Sequence, residues 1–251
     1  MKKILLGAAA AIAIAAPSAA FADTAQVGAH IGNIEPDTGS DVDYWGMDGS
    51  YSHDMSNGWM FQLDGTHESI DGGGADVGTS YGSVALGIRN DNHALYGHFG
   101  LSDLSGISFT NVGIGGQLYL GQATINGSLG HAWSDVGGGD VTITGLHFDG
   151  TWYFTDNFGV SAEAGWAEAE FLGVDNDSDT LGIGGVYRFN NSPFAINGNY
   201  RNVDNDGFEL DVWQLGFTYN IGSGSEREHS QSGSSWNGGE NLFLSSLYSI
   251  L

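Results

Sequence analysis

Trp213–Ile221 reads WQLGFTYNI. Trp213, Leu215, Phe217, Tyr219 and Ile221 are large and apolar, while Gln214, Gly216, Thr218 and Asn220 between them are small or polar. A period of two puts an apolar face and a wet face on one strand. In a soluble sheet the apolar face needs a second layer to cover it. The chain offers more strands of the same kind and no amphipathic helix to do so. What remains is burial in lipid, with the sheet closed on itself so that no edge is left unpaired. The stretch is therefore expected to be the strand that closes a membrane barrel.

Eleven further segments carry the same alternation, at approximately 25–33, 42–52, 59–67, 80–89, 93–101, 110–120, 122–133, 142–154, 158–168, 180–189 and 194–202, with the last strand at 210–221. One face repeats sets such as Trp59/Phe61/Leu63 and Leu146/Phe148/Trp152/Phe154, and the other sets such as Gln62/Asp64/Thr66 and His147/Asp149/Thr151. A soluble sandwich would show the same alternation, so the connectors decide. Those at 34–41, 68–79, 102–109, 134–141, 169–179 and 203–209 are long, Gly-rich and acidic. Those at 54–58, 90–92, 121, 155–157 and 190–193 are short. Long loops at one end and tight turns at the other are the asymmetry of an outer-membrane barrel. Trp59, Tyr119, Tyr153, Phe154, Phe158, Phe189, Phe194 and Tyr219 crowd the strand ends beside the short turns, as an interfacial aromatic girdle would.

Composition narrows the class. Of 251 residues 42 are Gly, 3 are Pro and none is Cys, with 14% charged and 12% aromatic. Absence of cysteine excludes a disulfide scaffold and Cys-based zinc sites. Residues 1–22 read as a secretory signal peptide: Lys2 and Lys3, a short apolar core at 4–16, and the small-x-small pattern Ala20-Phe21-Ala22. Losing those two lysines takes the formal net charge from −24 to −26. Nucleic acid is then excluded as a partner, since phosphate binding needs a basic face.

The expectation is a single domain at 23–221, an all-β transmembrane antiparallel up-and-down barrel of about twelve strands, with long acidic extracellular loops and short periplasmic turns. It resembles the outer-membrane β-barrel proteins of Gram-negative bacteria, porin-like in the broad sense. Leu215-Gly216-Phe217-Thr218-Tyr219 looks like the aromatic signal by which that family's assembly machinery recognises a last strand. The resemblance implies residence in the outer membrane after export, contact with lipid and lipopolysaccharide, and passage of small solutes or cations. The chain departs from the pattern because 30 residues follow Ile221. Residues 222–240 read as a flexible Ser/Gly-rich linker, and 241–251 as an apolar end that serves as a plug, a partner-binding peptide or an appendage acquired by readthrough.

Site residues follow from parity. Asp48, Asp64, Arg89, His98, His147, Asp149, Glu163, Arg188 and Arg201 are expected to line the lumen. Arg89 and Arg188 should sit near the periplasmic mouth, paired with Asp48, Asp64, Asp149 or Glu163. His30, His98 and His131 read as lumen polar residues, without metal-ligand spacing. The run 175–179 opens like a calcium loop but has Thr180 and Val186 where that motif needs Gly and Glu, so no resident metal or cofactor is expected. Asp71, Asp76, Asp175, Asp177, Asp179, Asp204 and Asp206 are expected to surround the outer mouth and attract cations. Inward small residues at 113, 115, 128, 130, 182 and 184 are expected to leave the lumen open. The functional expectation is a weakly cation-selective, non-enzymatic conduit. A non-conducting barrel that binds a surface partner stands second, and an outer-membrane hydrolase a distant third.

Overall fold

The computed structural model describes residues 23–71, 76–136, 139–171, 174–205, 208–222 and 224–232, so the expected signal peptide lies outside the described residues. Twelve strands follow in chain order: β1 (Asp23–Pro36), β2 (Val42–Asp54), β3 (Trp59–Asp71), β4 (Asp76–Arg89), β5 (His93–Leu104), β6 (Ile107–Tyr119), β7 (Ala123–Val136), β8 (Gly139–Thr155), β9 (Phe158–Phe171), β10 (Val174–Arg188), β11 (Phe194–Asn205) and β12 (Phe208–Ile221). Each pairs antiparallel with its sequence neighbours, and β1 pairs with β12 to close the barrel. The closing register runs from Ala25↔Ile221 to Pro36↔Leu210, so WQLGFTYNI seals the ring as its pattern requires.

Alternation sorts the wall into two surfaces. Leu215 is 59% exposed on the outer face of β12, whereas Val212 on the inner face is 1% exposed. Ile31, Leu86, Ile114, Phe148, Ile183 and Phe217 are likewise exposed around the ring. An apolar belt of this extent on a closed barrel is a lipid-facing surface. Trp59, Phe154, Phe158, Phe189, Phe194 and Tyr219 form the expected aromatic border. Its rings pack in pairs, Phe154 on Phe158 at 5.8 Å and Phe194 on Phe217 at 5.1 Å between centroids. Tyr119 and Tyr153 depart from it. Both are buried on the inner face, and the Tyr119 hydroxyl donates to Gln117 Oε1 at 2.8 Å. His131 is also misplaced by the sequence reading, since it is exposed on the outer face against Thr144.

The far end, opposite the chain termini of the barrel, differs from expectation. Most of what the sequence presents as long loops is strand that continues the ladder. Leu104 and Ile107 are joined by only Ser105 and Gly106, both at positive φ (49° and 97°), the conformation that a two-residue hairpin demands. The expected loop acids Asp175, Asp177 and Asp179 lie on β10, exposed on its outer face, with Glu170 and Glu168 opposite the first two on β9. Asp204 faces Asp179 from β11, and Asp71 is exposed at the end of β3. Asp76 opens β4, and Asp206 lies outside the described residues. The described acids therefore clothe the outside of the far rim instead of facing the lumen.

Inside, the lumen is layered. At the far end Ile34, Tyr44, Ile70, Leu104, Val203 and Leu210 belong to one buried apolar cluster that spans the ring. The expectation of a polar inner face fails at this level. The middle layer is polar and ionisable. Inward glycines do not leave it empty. A Cβ at Gly113 would overlap the His98 ring, one at Gly115 would overlap Tyr96, and one at Gly182 would overlap the Glu163 carboxylate. Each glycine sits directly opposite the large residue on the next strand. These three glycines are seats on which neighbouring side chains lie flat against the wall, whereas Gly184 lines an open cavity as expected.

Candidate functional site

The middle layer surrounds a cavity of about 320 Å³. On one side β1, β2 and β3 bring His30 between two acids, with Nδ1 3.6 Å from Asp48 Oδ1 and Nε2 3.2 Å from Glu68 Oε1. On the opposite side, six strands away around the ring, β8 and β9 contribute Asp149 and Glu163. Asn126 Nδ2 donates to Asp149 Oδ1 at 2.6 Å. Arg201 of β11 grips Glu163 with two nitrogens, Nε on Oε1 and Nη2 on Oε2, the latter at 3.3 Å. His147 Nε2 stands 3.7 Å from Asp149 Oδ2 and 3.7 Å from Glu163 Oε2, and neither ring nitrogen makes a hydrogen bond among the described residues.

Of the lumen residues read from parity, Asp48, Asp149, Glu163 and Arg201 line this cavity. His147 is buried behind Asp149 and Glu163, which it touches. Asp64 lies elsewhere on the wall, accepting from Gln62 Nε2 at 2.6 Å and Ser83 Oγ at 3.3 Å. His98 is buried on its glycine seat, with no hydrogen bond to either nitrogen among the described residues. The arginine pairings differ from expectation. Arg89 Nη1 takes Asp54, 3.1 Å from each carboxylate oxygen, and Arg188 bonds backbone carbonyls. Of the lumen acids, Glu163 is paired with Arg201 and Asp48 with His30 instead. Arginine near a turn reaches the nearest acceptor at its own level, and Asp48, Asp64, Asp149 and Glu163 sit higher up the wall.

Both near-end arginines lead to a feature that the sequence reading lacks. Within the stretch expected to be a flexible linker, Glu226–Ser232 forms a short helix, α1. Ser225 caps it: its Oγ accepts from the Glu228 amide at 3.1 Å, and Glu228 Oε2 reaches back to the Gly224 amide at 3.0 Å. Ser225-Glu226-Arg227-Glu228 is a capping box, and that four-residue signal was present in the sequence.

Four sides of the ring hold α1 across the near mouth. His229 Nε2 bonds Gln26 Oε1 of β1 at 3.0 Å, and Ser230 Oγ donates to Thr124 Oγ1 of β7 at 2.9 Å. Arg89 of β4 donates to Ser232 O at 2.8 Å, and Arg188 of β10 donates to Ser225 O at 3.2 Å. In a ring of twelve, β1 faces β7 and β4 faces β10. Arg227 adds an ion pair to Asp156 in the β8–β9 turn at 2.8 Å. Glu226, His229 and Ser230 line the floor of the cavity.

Burial pushes the His229 imidazole down to about 4, with Arg188 and Arg89 acting in the same direction. The docked helix thus holds His229 neutral, while an undocked one titrates near 6.5. Docking is at full strength above pH 6.5 and weakens as pH falls towards 4. At pH 5 the loss is about 2 kcal/mol, at 1.36 kcal/mol per pH unit. Glu226 acts in the opposite sense, because burial raises its carboxyl despite Arg188 and protonation then favours the docked form. In a Glu226→Gln background the histidine acts alone. Protease nicking near Arg227 in detergent-solubilised barrel of that background should therefore accelerate from pH 7 to pH 5, and should lose that pH dependence when His229→Gln is added. Equal nicking rates at both pH values would contradict it.

No family model matches the chain, and no curated protein matches it. Solved structures do. The KdgM porin in complex with disordered oligogalacturonate is 12% identical with a TM-score of 0.54, over 76% of this chain and 98% of that one. A loop L8 deletion mutant of OmpT, an outer membrane protein of Vibrio cholerae, is 11% identical with a TM-score of 0.51, over 79% and 99%. The β domain of the Bordetella autotransporter BrkA is 12% identical with a TM-score of 0.53, over 79% and 99%. At such identities the likeness is one of fold, and the fold is that of the outer-membrane β-barrels, porin-like in the broad sense.

Proposed function

We propose that the barrel is a porin-like conduit for small hydrophilic solutes, weakly cation-selective and non-catalytic, with its α1 end in the periplasm. The observation that carries this reading is the solute-sized polar cavity inside a closed, lipid-facing wall. Asp48, Glu68, Asp149, Glu163 and Glu226 line it against only Arg201 and the histidines His30 and His229. Acids inside a narrow lumen are poorly screened and concentrate cations. Those on the outside of the far rim act at a distance and through water. A porin shares the fold, but the oligogalacturonate seen with that porin is an oligoanion, which this lumen would repel. The apolar cluster at the far end and α1 at the near end favour a second reading, a barrel that does not conduct.

Reversal potential in a KCl gradient across a planar bilayer tests the proposal. The expected parent is cation-preferring, with the preference fading as salt rises. Asp48→Asn with Asp149→Asn should lower the preference more than Asp175→Asn, Asp177→Asn, Asp179→Asn and Asp204→Asn together. Anion preference in the parent, or no current at all after removal of the tail, would reject the reading.

A further inference from the structure

The cavity has an excess of acceptors over donors. Asp48 and Glu68 face Asp149 and Glu163 across it, since β2 and β3 stand six strands from β8 and β9. Glu226 of α1 adds a fifth carboxylate from the floor. The positive groups nearby are already engaged, Arg201 with Glu163 and His30 with Asp48 and Glu68. An independent observation concerns Asn220. Its side chain lines the cavity, the residue is 3% exposed, and its Oδ1 has no donor among the described residues. Asn126 Oδ1 and Glu226 Oε2 share that condition on the same cavity. A buried acceptor without a donor has lost its hydration uncompensated, so the site is short of N–H groups at several separated points.

A metal ion does not supply what is missing. Among the described residues no three of His, Asp and Glu converge closely enough to hold one. The acids are spread around a wall, and the cation that fits must be extended and rich in donors. We infer that the cavity binds linear aliphatic polyamines, one ammonium end on Asp48 and Glu68, the other on Asp149 and Glu163, with intervening N–H groups turned to Asn220 and Glu226. The inference deepens the conduit reading by naming a solute class for the same lumen, and it rests on solute reaching that lumen.

The test measures binding without current, so it stands or falls separately from conduction. Spermidine is titrated calorimetrically into the full chain in detergent micelles, in parallel with Mg²⁺. Saturable binding of one spermidine is expected, weakened about tenfold, or about 1.4 kcal/mol, by Asp149→Asn and again by Glu226→Gln. Glu226 is on α1 and outside the barrel wall, so its variant leaves barrel folding intact, which the heat-dependent gel shift checks. Absence of saturable binding would overturn the inference. So would binding unchanged in both variants, which would place spermidine on the outer acids, or displacement by Mg²⁺ at equal concentration, which would reduce it to general charge screening.

Discussion

Deleting residues 222–251 should raise single-channel conductance several-fold and quiet its fluctuations. The reason is geometric. α1 is anchored to β1, β4, β7 and β10, four points spaced evenly around a ring of twelve strands, so it crosses the near mouth and does not hang from one lip. Its anchors are a few hydrogen bonds and the Arg227–Asp156 ion pair, which is partly exposed and contributes at most about 1 kcal/mol. A seven-residue helix has little stability of its own and depends on those contacts and on its cap. Intact protein should consequently flicker between a docked low-conductance state and an undocked high one. Ser225→Ala removes the capping hydroxyl, at a cost of about 1 kcal/mol, and should shift occupancy towards the open state without changing its amplitude. Truncation should leave the open state alone. Because β12 pairs with β1 from Leu210 through to its last residue, Ile221, the shortened chain retains every strand of the ring. Identical conductance in full and truncated protein would show that α1 does not obstruct the path. Failure of the truncated chain to fold would show that the tail is part of the structure.

The ring was legible because alternation is a local property with a fixed period. Each strand announces its own outward face, and lipid on one side leaves no ambiguity about which face that is. Parity also places Asp48, Asp149, Glu163 and Arg201 inward without any knowledge of their partners. What it cannot supply is height along the barrel axis. Arg89 was matched with lumen acids when its actual partner, Asp54, sits at its own level beside a turn. The outward acids on β10 were misread for a related reason. Polarity and glycine content look the same in a loop and in a strand that has risen above the lipid, where an outward face no longer needs to be apolar. Inward glycines misled as well. A glycine signals free volume only when the residue opposite is small, and Gly113, Gly115 and Gly182 oppose His98, Tyr96 and Glu163. The helix α1 was hidden by composition, since a Ser/Gly-rich stretch reads as linker unless the four-residue capping box inside it is noticed.

The pair Glu163–Arg201 should be the most costly to break in the wall. Both side chains are 13% exposed, and the guanidinium holds the carboxylate through two nitrogens. Removing one partner of a buried pair leaves the other without compensation, a loss of about 3–5 kcal/mol, and a water-bearing lumen places the expectation at the lower end. The two single changes should not be equivalent. Glu163→Ala removes the carboxylate that Arg201 grips with two nitrogens, at a level where its wall neighbours by register are Gly182 and Val212. Arg201→Met leaves Glu163 with Asp149 on the paired position of the next strand, so two carboxylates then face each other without a cation between them. The double variant relieves both problems and should be closer to the parent than either single one. Urea unfolding from lipid vesicles, followed by tryptophan fluorescence, gives the coupling through the double-mutant cycle. A coupling of about 2 kcal/mol or more is expected for a pair in this setting. Strict additivity of the two changes would mean that water or another acid already takes Arg201's charge.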